Sequence, residues 1–205
     1  MAARAASSPT ASRVLDTAEL LVQVRGFNGF SYADIAAELQ LTKASLHYHF
    51  ATKADLGEAL INRYSARFFE ALAEVDAAGA AAPAKLSAYA KLYADVLSEQ
   101  KMCLCGMLAA EYPTLPRPMQ AAVVGFFDHN ERWLVAVLEQ GAAEGSLAFT
   151  GPATDTARMI VSGLEGAMLV TRPYGDAARF QVAAASLLAS LTAAADGSAR
   201  ASSRS

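Results

Sequence analysis

Two short stretches of helical pattern, separated by only three residues, constrain the fold of this chain more than any other feature. The first, "SYADIAAEL", begins at Ser31, and the second, "KASLHYH", follows Thr42, with "QLT" between them. Ser31 followed by Asp34 has the spacing of a helix capping box. Phe30, before this cap, can pack on Ile35 as a hydrophobic staple. Thr42 can cap the second helix, and two helices joined by so short a turn predict a helix-turn-helix.

The second of these helices has an inward and an outward face. Leu46 and Phe50 lie four residues apart, so their side chains share one side of the helix and point toward the rest of the domain. The other side carries Ala44, Ser45 and Tyr48, with His47 on its flank and Lys43 able to reach out from the N-terminal end. Because a helix fits into the major groove of DNA, this outward side is a candidate DNA-reading surface.

The segment 39–54 contains no acidic side chain, although the 205-residue chain has a net charge of −3. Residues 1–70 hold seven basic and seven acidic residues, so any contact with nucleic acid must come from local arrangement rather than from bulk charge. A carboxylate in this segment would face a row of phosphates, which gives its exclusion a physical cause. An ordinary solvated helix face is the alternative interpretation of the same residues.

The rest of the chain also predicts helix. The sequence is 54% hydrophobic, rich in alanine and poor in strand-like runs, and these features favour an all-α protein. A long fourth helix, from about Lys53 to Val75, follows the helix-turn-helix, and prolines and glycines separate the later helices. We expect about nine helices, at 10–25, 31–39, 42–50, 53–75, 83–100, 102–111, 117–144, 152–171 and 176–194.

The segment from Gly26 to Leu56 resembles the DNA-binding domain of the TetR/AcrR family of bacterial repressors. The agreement in residue type and spacing covers Gly26-Phe27, Ser31-Tyr32, Asp34-Ile35-Ala36, Leu41-Thr42-Lys43, Leu46, Tyr48-His49-Phe50, Lys53 and Leu56. Two positions depart from the family pattern. Gln40 stands where the turn usually has glycine, and a side chain makes a left-handed backbone less favourable. His47 stands where the family usually has tyrosine, and histidine can add pH dependence.

The resemblance implies a role for each polar residue of this segment. The base-reading positions fall on Lys43, Ala44, Ser45 and His47, in a recognition helix that runs from Thr42 to Phe50. The phosphate contacts fall on Ser31, Tyr48, His49 and Lys53. The resemblance further implies a homodimer that represses transcription from a palindromic operator of double-stranded DNA and that a small apolar or aromatic inducer releases.

By the same resemblance, the larger helical part should bind the ligand and form the dimer. We predict a disordered tail at 1–9, a helix-turn-helix domain at 10–52, a ligand-binding and dimerisation domain at 53–195 and a second disordered tail at 196–205. Small residues and a broad apolar face indicate that the last two helices form a four-helix dimer bundle, through Ser162, Gly163, Gly166, Ala167, Phe180, Ala184, Leu187, Leu188 and Leu191. An internal core pair is the alternative, because periodicity does not distinguish the two.

A candidate ligand pocket is indicated by soft and aromatic side chains mixed with isolated polar groups. Its members are Tyr93, Cys103, Met107, Glu111, Tyr112, Phe126, Phe127, His129, Trp133 and Met168, with Tyr89 and Arg132 as further candidates. Plain core packing is the alternative for the apolar members, because methionine and aromatic residues at helical spacing commonly fill cores.

Cys103 and Cys105 offer an alternative signal, because "MCLCGMLAAE" resembles a stretch in some relatives where cysteine can sense electrophiles or oxidants. Such sensing requires a thiol pKa lowered by nearby cations. Two residues apart on a helix, the two thiols point to different faces, so a disulfide between them is not expected. Inert buried cysteines are the other interpretation.

Other classes of function find little support in the sequence. No phosphate-binding glycine loop, zinc-protease motif or nucleophile elbow is present, and we predict neither an enzyme nor a cofactor. His47 and His49 diverge on a helix and cannot share a metal ion, so no metal site is predicted. With no signal peptide and no membrane span, we expect a cytoplasmic protein. A DNA-binding protein that has no ligand would show the same helix-turn-helix.

Overall fold

The computed structural model describes residues 8–192, and they form an all-α structure. The helices are α1 (Pro9–Arg25), α2 (Tyr32–Leu39), α3 (Lys43–His49), α4 (Lys53–Ala77), α5 (Ala82–Ser98), α6 (Leu104–Ala110), α7 (Arg117–Ala143), α8 (Ala153–Thr171) and α9 (Ala177–Ala189). Single 3-10 turns lie at Tyr112–Thr114 and Arg172–Tyr174. The all-α prediction and the number of helices are confirmed for this part of the chain.

The predicted end of the first tail is one point of difference. Ser8 accepts a hydrogen bond from the backbone N–H of Ala11 at 3.1 Å, and Pro9 occupies the first turn of α1. Proline suits that position because its missing N–H has no helical partner there. Residues 8 and 9 are therefore part of the helix and its cap, whereas the rest of the tail predicted at 1–9 and the whole tail predicted at 196–205 lie outside the described residues.

The predicted caps of the helix-turn-helix are confirmed. The backbone N–H of Ser31 donates to Asp34 Oδ2 at 2.7 Å, which completes the capping box of α2. Thr42 Oγ1 accepts the backbone N–H of Ser45 at 3.1 Å at the start of α3. Gln40 ends α2 with φ 54° and ψ 41°, the left-handed conformation expected at this turn. The departure from glycine is thus accommodated with the turn geometry intact.

The three N-terminal helices share one small core. Val14, Ala18, Ile35 and Leu46 are fully buried, and Phe50 covers the end of α3. The Tyr32 hydroxyl adds a polar tie, because it lies 2.9 Å from the carbonyl oxygen of Phe50 and 2.7 Å from that of Thr52. This shared bond fixes the end of α3 to the start of α2 and to the cap of α4.

Helices α4 to α9 form the larger body. The longest helix, α7, packs between α4, α5 and α8, and α9 covers α5 and α8. The core consists largely of leucines and aromatic rings, among them Leu60, Tyr93, Phe126 and Leu164. No helix within residues 8–192 combines the length and the apolar character needed to cross a membrane.

Helix α6 connects this body to the N-terminal helices. At its N-terminal side, the backbone N–H of Met102 donates to the carbonyl oxygen of Gln23 at 3.3 Å. At its C-terminal end, the Glu111 carboxylate accepts the backbone N–H groups of Phe27 and Asn28 at 2.6 and 3.1 Å. From the end of α8, the Arg172 guanidinium also donates to the carbonyl oxygen of Val24. The end of α1 and the turn after it are therefore held by the body.

Candidate DNA interface and ligand site

The outward side of α3 is presented as the sequence predicted. Leu46 is fully buried, whereas Lys43, Ala44 and His47 are exposed and the Tyr48 side chain is 77% exposed. Ser45 and His49 are half-buried, and the rings of Tyr48 and His49 lie edge to face with centroids 5.1 Å apart. A seven-residue helix that is anchored by one side and open on the other can enter a groove without rearrangement.

His47 has a defined tautomer in this arrangement. Its Nδ1 lies 2.9 Å from the carbonyl oxygen of Ala51, and because a carbonyl only accepts, Nδ1 carries the proton. Nε2 of the neutral ring is then an acceptor. The ring also packs against Tyr32, with centroids 4.9 Å apart. A fixed acceptor at this position can bind a base amino group, and protonation would convert it to a donor.

A hollow beside α3 joins Ser31 and Lys53, two of the four predicted phosphate-binding residues, to the predicted base-reading residues Lys43 and His47. It is lined by Phe30, Ser31, Tyr32, Ala33, Lys43, His47 and Lys53. The two lysines give the hollow positive charge, which suits a phosphate oxygen. Ser31 serves mainly as a cap, because its hydroxyl donates to Asp34 Oδ2 at 2.7 Å and accepts the N–H of Ala33.

Lys53 does more than line this hollow. Its ammonium donates to the carbonyl oxygens of Phe27 and Phe30 and lies over both rings, 4.4 and 4.1 Å from their centroids. Burial lowers the pKa of Lys53, and the negative charges of Glu111 and Asp34 oppose that shift. Lys53 therefore holds the turn between α1 and α2, in addition to the phosphate contact predicted for it.

The predicted ligand residues fall into separate groups. Four of them, Tyr93, Cys103, Phe126 and Met168, are buried in the core of the body. Phe127, His129 and Trp133 lie at its edge, where the His129 ring stacks on Phe69 with centroids 3.6 Å apart. Met107 lies 3.3 Å from Arg172, and Tyr112 begins a 3-10 turn. Glu111 binds the Phe27 turn, so its carboxylate is engaged with the N-terminal helices rather than with this core.

One cleft of about 190 Å³ lies outside this set. Its lining consists of Leu97, Ser98, Gln100, Lys101, Met102, Thr171, Arg172, Gly175, Asp176 and Ala177, none of which was a predicted ligand residue. The cleft lies between the end of α5 and the start of α9. Of the predicted aromatic residues, Tyr93 and Phe126 lie in the core, whereas Phe127 and Trp133 lie at its edge.

The core contains a chain of buried polar groups that the sequence only partly indicated. The Tyr89 hydroxyl lies 3.0 Å from that of Tyr93 and donates to Asn130 Oδ1 at 2.9 Å. Asn130 in turn donates to the carbonyl oxygen of Phe126 at 2.8 Å. Asn130 was not predicted as a site residue, although an amide within the apolar stripe of α7 was a detectable signal.

Glu165 is the most unusual residue beside this core, and it was not among the predicted site residues. Its Oε1 is withheld from solvent and has no hydrogen-bond partner. Burial raises the pKa of Glu165 to about 7, and a hydrogen bond from the Cys103 thiol partly opposes the shift. In the sequence it is an ordinary charged residue of "SGLEGAML", so only the packing of α8 against α6 identifies it.

The two cysteines are both reduced and buried. Burial raises the pKa of the Cys103 and Cys105 thiols well above the usual range, and the negative charge of Glu165 adds to the rise in both. Tyr64 also lies near, with its hydroxyl 3.7 Å from Cys103 Sγ. Both thiols are therefore protonated at neutral pH, the opposite of the lowered pKa that a reactive cysteine requires.

The predicted dimer residues divide between the interior and the surface. Phe180, Ala184 and Leu191 are buried within the single chain, because α9 packs its apolar side onto α5 and α8. Gly163 and Leu187 face each other in the same packing, and Ala167 and Leu188 are half-buried. Ser162 and Gly166 are exposed. The large apolar side chains that remain exposed on α8 and α9 are Met159, Leu169, Val170 and Val182.

Comparison with known proteins places this architecture in a family. Residues 14–60 match the model for bacterial regulatory proteins of the tetR family, and residues 82–187 match the model for the tetracyclin repressor-like C-terminal domain. A transcriptional regulator of the TetR family from Agrobacterium tumefaciens has a solved structure with a TM-score of 0.86 to this one. It is 33% identical, and the match covers 94% of this chain and all of that chain.

Two curated relatives are also similar. The transcriptional regulator AcuR of Cereibacter sphaeroides is 27% identical over 149 residues, which is 71% of this chain and 68% of that protein. The HTH-type transcriptional repressor NemR of Escherichia coli is 26% identical over 168 residues, 78% of this chain and 82% of that protein. The reduced form of NemR has a solved structure with a TM-score of 0.77, covering 89% of this chain and 98% of that one. This chain therefore belongs to the TetR family of DNA-binding bacterial transcriptional regulators.

Proposed function

We propose that this protein is a transcriptional repressor that binds a palindromic operator as a homodimer and leaves it when a small molecule binds the helical body. The outward, acid-free side of α3 is the observation that carries the proposal. The cap at Thr42 and the buried Leu46 hold this helix firmly in place. Its exposed residues are Lys43, Ala44, His47 and Tyr48. Two such helices about 34–36 Å apart would enter successive major grooves.

The dimer in this proposal forms through the outer sides of α8 and α9. Val170 and Val182 are 62% and 68% exposed, and Leu169 is 57% exposed on the same pair of helices. A Cβ on Gly166 would meet no atom of this chain within 4 Å, so a second copy can approach closely there. Exposed apolar side chains grouped in this way are typical of an interface between subunits.

Release by a ligand requires a path from the body to α3. Helix α6 supports one, since Cys103 at its start binds Glu165 and Glu111 at its end binds the Phe27 turn. A ligand that displaced α6 would shift the turn that sets the position of α1 against α2. A coupling free energy of about 1–3 kcal/mol is enough to change operator affinity 5- to 150-fold.

A thiol-sensing repressor is the second candidate. The similarity to NemR, which has a solved structure in its reduced form, favours it. Because both thiols are buried and protonated, this chemistry would need the core to open first. Replacing Cys103 and Cys105 with serine should abolish release by an alkylating agent, and unchanged release in both variants would remove this candidate.

A gel shift with the DNA upstream of the protein's own gene tests the main proposal. Retardation should occur at low ionic strength and weaken steeply with added salt, since phosphate contacts release counterions. The partners are then double-stranded operator DNA, a small-molecule inducer and a second copy of the chain, in the cytoplasm. Absence of a retarded band at low salt would show that this upstream DNA contains no operator for the protein. Thermal-shift screening with apolar compounds separates a ligand-responsive repressor from a DNA-binding protein without a ligand.

A further inference from the structure

We propose that Glu165 anchors the effector and that the effector is a small aromatic cation, such as an amine or amidine. The proposal rests on the ligand-responsive repressor argued above and specifies the chemistry of its ligand. It begins from the Oε1 atom of Glu165, which is shielded from solvent and lacks any hydrogen-bond partner in the described structure. Buried carboxylate oxygens are normally paired, so this atom indicates a missing donor.

The lack of a side chain at Gly106 makes room for the carboxylate of Glu165. A Cβ on Gly106 would collide with Glu165 Oε2, so the glycine in α6 allows α8 to bring the carboxylate against it. On the same helix, Cys103 donates its thiol hydrogen to Glu165. A thiol is a weak donor and leaves most of the charge of a carboxylate unsatisfied. The site therefore holds one weak donor and a half-buried acid whose Oε1 is withheld from solvent and unpaired.

No cation of the protein neutralises Glu165, because none of the ion pairs in residues 8–192 includes it. Burying a carboxylate without a cation is costly, so a ligand that brings a positive charge gains more here than elsewhere. An anionic ligand would be repelled by Glu165, and a purely apolar ligand would leave Oε1 unsatisfied. Positive charge is the ligand property that the site favours.

The surroundings of Glu165 add an aromatic requirement. The rings of Tyr64 and Phe126 lie 5.8 Å apart, and Phe68 lies 5.2 Å from Phe126 and 5.9 Å from Tyr93. The Tyr64 hydroxyl lies 3.7 Å from Sγ of Cys103, the residue whose thiol donates to Glu165. Aromatic faces stabilise organic cations and pack well on flat ligands, so an aromatic body with a cationic head matches both parts of the core.

Three probes of nearly equal size test this chemistry: benzamidine, benzamide and benzoate, which are cationic, neutral and anionic at pH 8. Their binding to the full chain is measured by calorimetry, and their effect on Tm is measured alongside. We expect benzamidine to bind and the other two to bind at least tenfold more weakly. Glu165→Gln should weaken benzamidine binding by about 10- to 100-fold, the loss typical of a hydrogen bond to a charged group.

Glu139→Gln is the matched control, since Glu139 is exposed on α7 and its replacement should leave benzamidine binding unchanged. Gly106→Ala is a second variant that pushes on the carboxylate without altering its charge, and it should also weaken binding. Equal affinity of benzamidine for the wild type and Glu165→Gln overturns the proposal, as does preferred binding of benzoate.

Operator binding by the unliganded protein is measured in the same series. If the protein binds its operator but does not bind benzamidine, the cation site at Glu165 is rejected and the proposed repressor function stands. If the protein binds no operator, the proposed repressor function is rejected. Calorimetry with the Glu165 variants then still decides whether this acid binds a cation.

Discussion

The Glu111 carboxylate accepts the backbone N–H of Phe27 at 2.6 Å, and this bond ties the end of α6 to the turn after α1. The same carboxylate accepts the N–H of Asn28 at 3.1 Å. Lys53 binds the carbonyl oxygens on the other side of this turn. The turn is thus held by a body residue on one side and by the first residue of α4 on the other, so a movement of α6 or α4 reaches the DNA-binding helices directly.

Removing this tie should loosen the turn. Glu111→Ala leaves two backbone donors without their acceptor, and we expect it to lower the free energy of unfolding by about 1–3 kcal/mol. Amide exchange at Phe27 and Asn28 should become faster. Urea denaturation and hydrogen exchange check this, with Glu139→Ala as an exposed control. Unchanged exchange at both amides would show that Glu111 does not hold the turn.

Glu165 should make the stability depend on pH. Its pKa is raised from 4.5 to about 7 in the folded protein, so the folded state binds a proton more tightly than the unfolded state does. The contribution of Glu165 to the free energy of unfolding is then greatest below about pH 4.5. It falls by about 3 kcal/mol in total as the pH rises toward 7. Denaturation curves between pH 5 and 8 should show this fall in the wild type and not in Glu165→Gln. Parallel curves for the two proteins would contradict the assignment.

His47 and Tyr48 should affect DNA binding in different ways. His47→Ala removes an acceptor from the base-reading positions and should change the preferred base by about 1–3 kcal/mol. Tyr48→Phe removes a hydroxyl predicted to contact phosphate, so it should weaken binding to all sequences alike. Binding to a library of operator variants at constant salt separates the two effects. If His47→Ala leaves both the affinity and the preference unchanged, His47 is not a base reader.

The exposed apolar side chains of α8 and α9 should be needed for the dimer. Replacing Val170 and Val182 with glutamate puts two charges into the proposed interface, and we expect monomers at concentrations where the wild type is dimeric. Val124 on α7 is 44% exposed, and Val124→Glu serves as the control that should stay dimeric. Light scattering after size exclusion measures the mass. A dimeric double variant would place the interface elsewhere.

The sequence by itself determined the elements whose signals are local. The caps at Ser31 and Thr42 and the inward Leu46 are all as predicted, because capping and helix periodicity act over only three or four residues. The resemblance from Gly26 to Leu56 belongs to the same class of signal, since it depends on residue type at fixed spacing.

Only the tertiary structure decided which partner each face meets. Periodicity showed that Phe180 and Leu191 lie on an apolar face, and the packing of α9 onto α5 and α8 turned that face inward. Glu111 and Phe27 are 84 residues apart, and no local pattern encodes such a contact. Glu165 looks like a surface residue in sequence, and its Oε1 is withheld from solvent only because Gly106 lets α6 approach α8. Contacts between distant helices depend on shape and volume, which the spacing of residue types along one helix does not record.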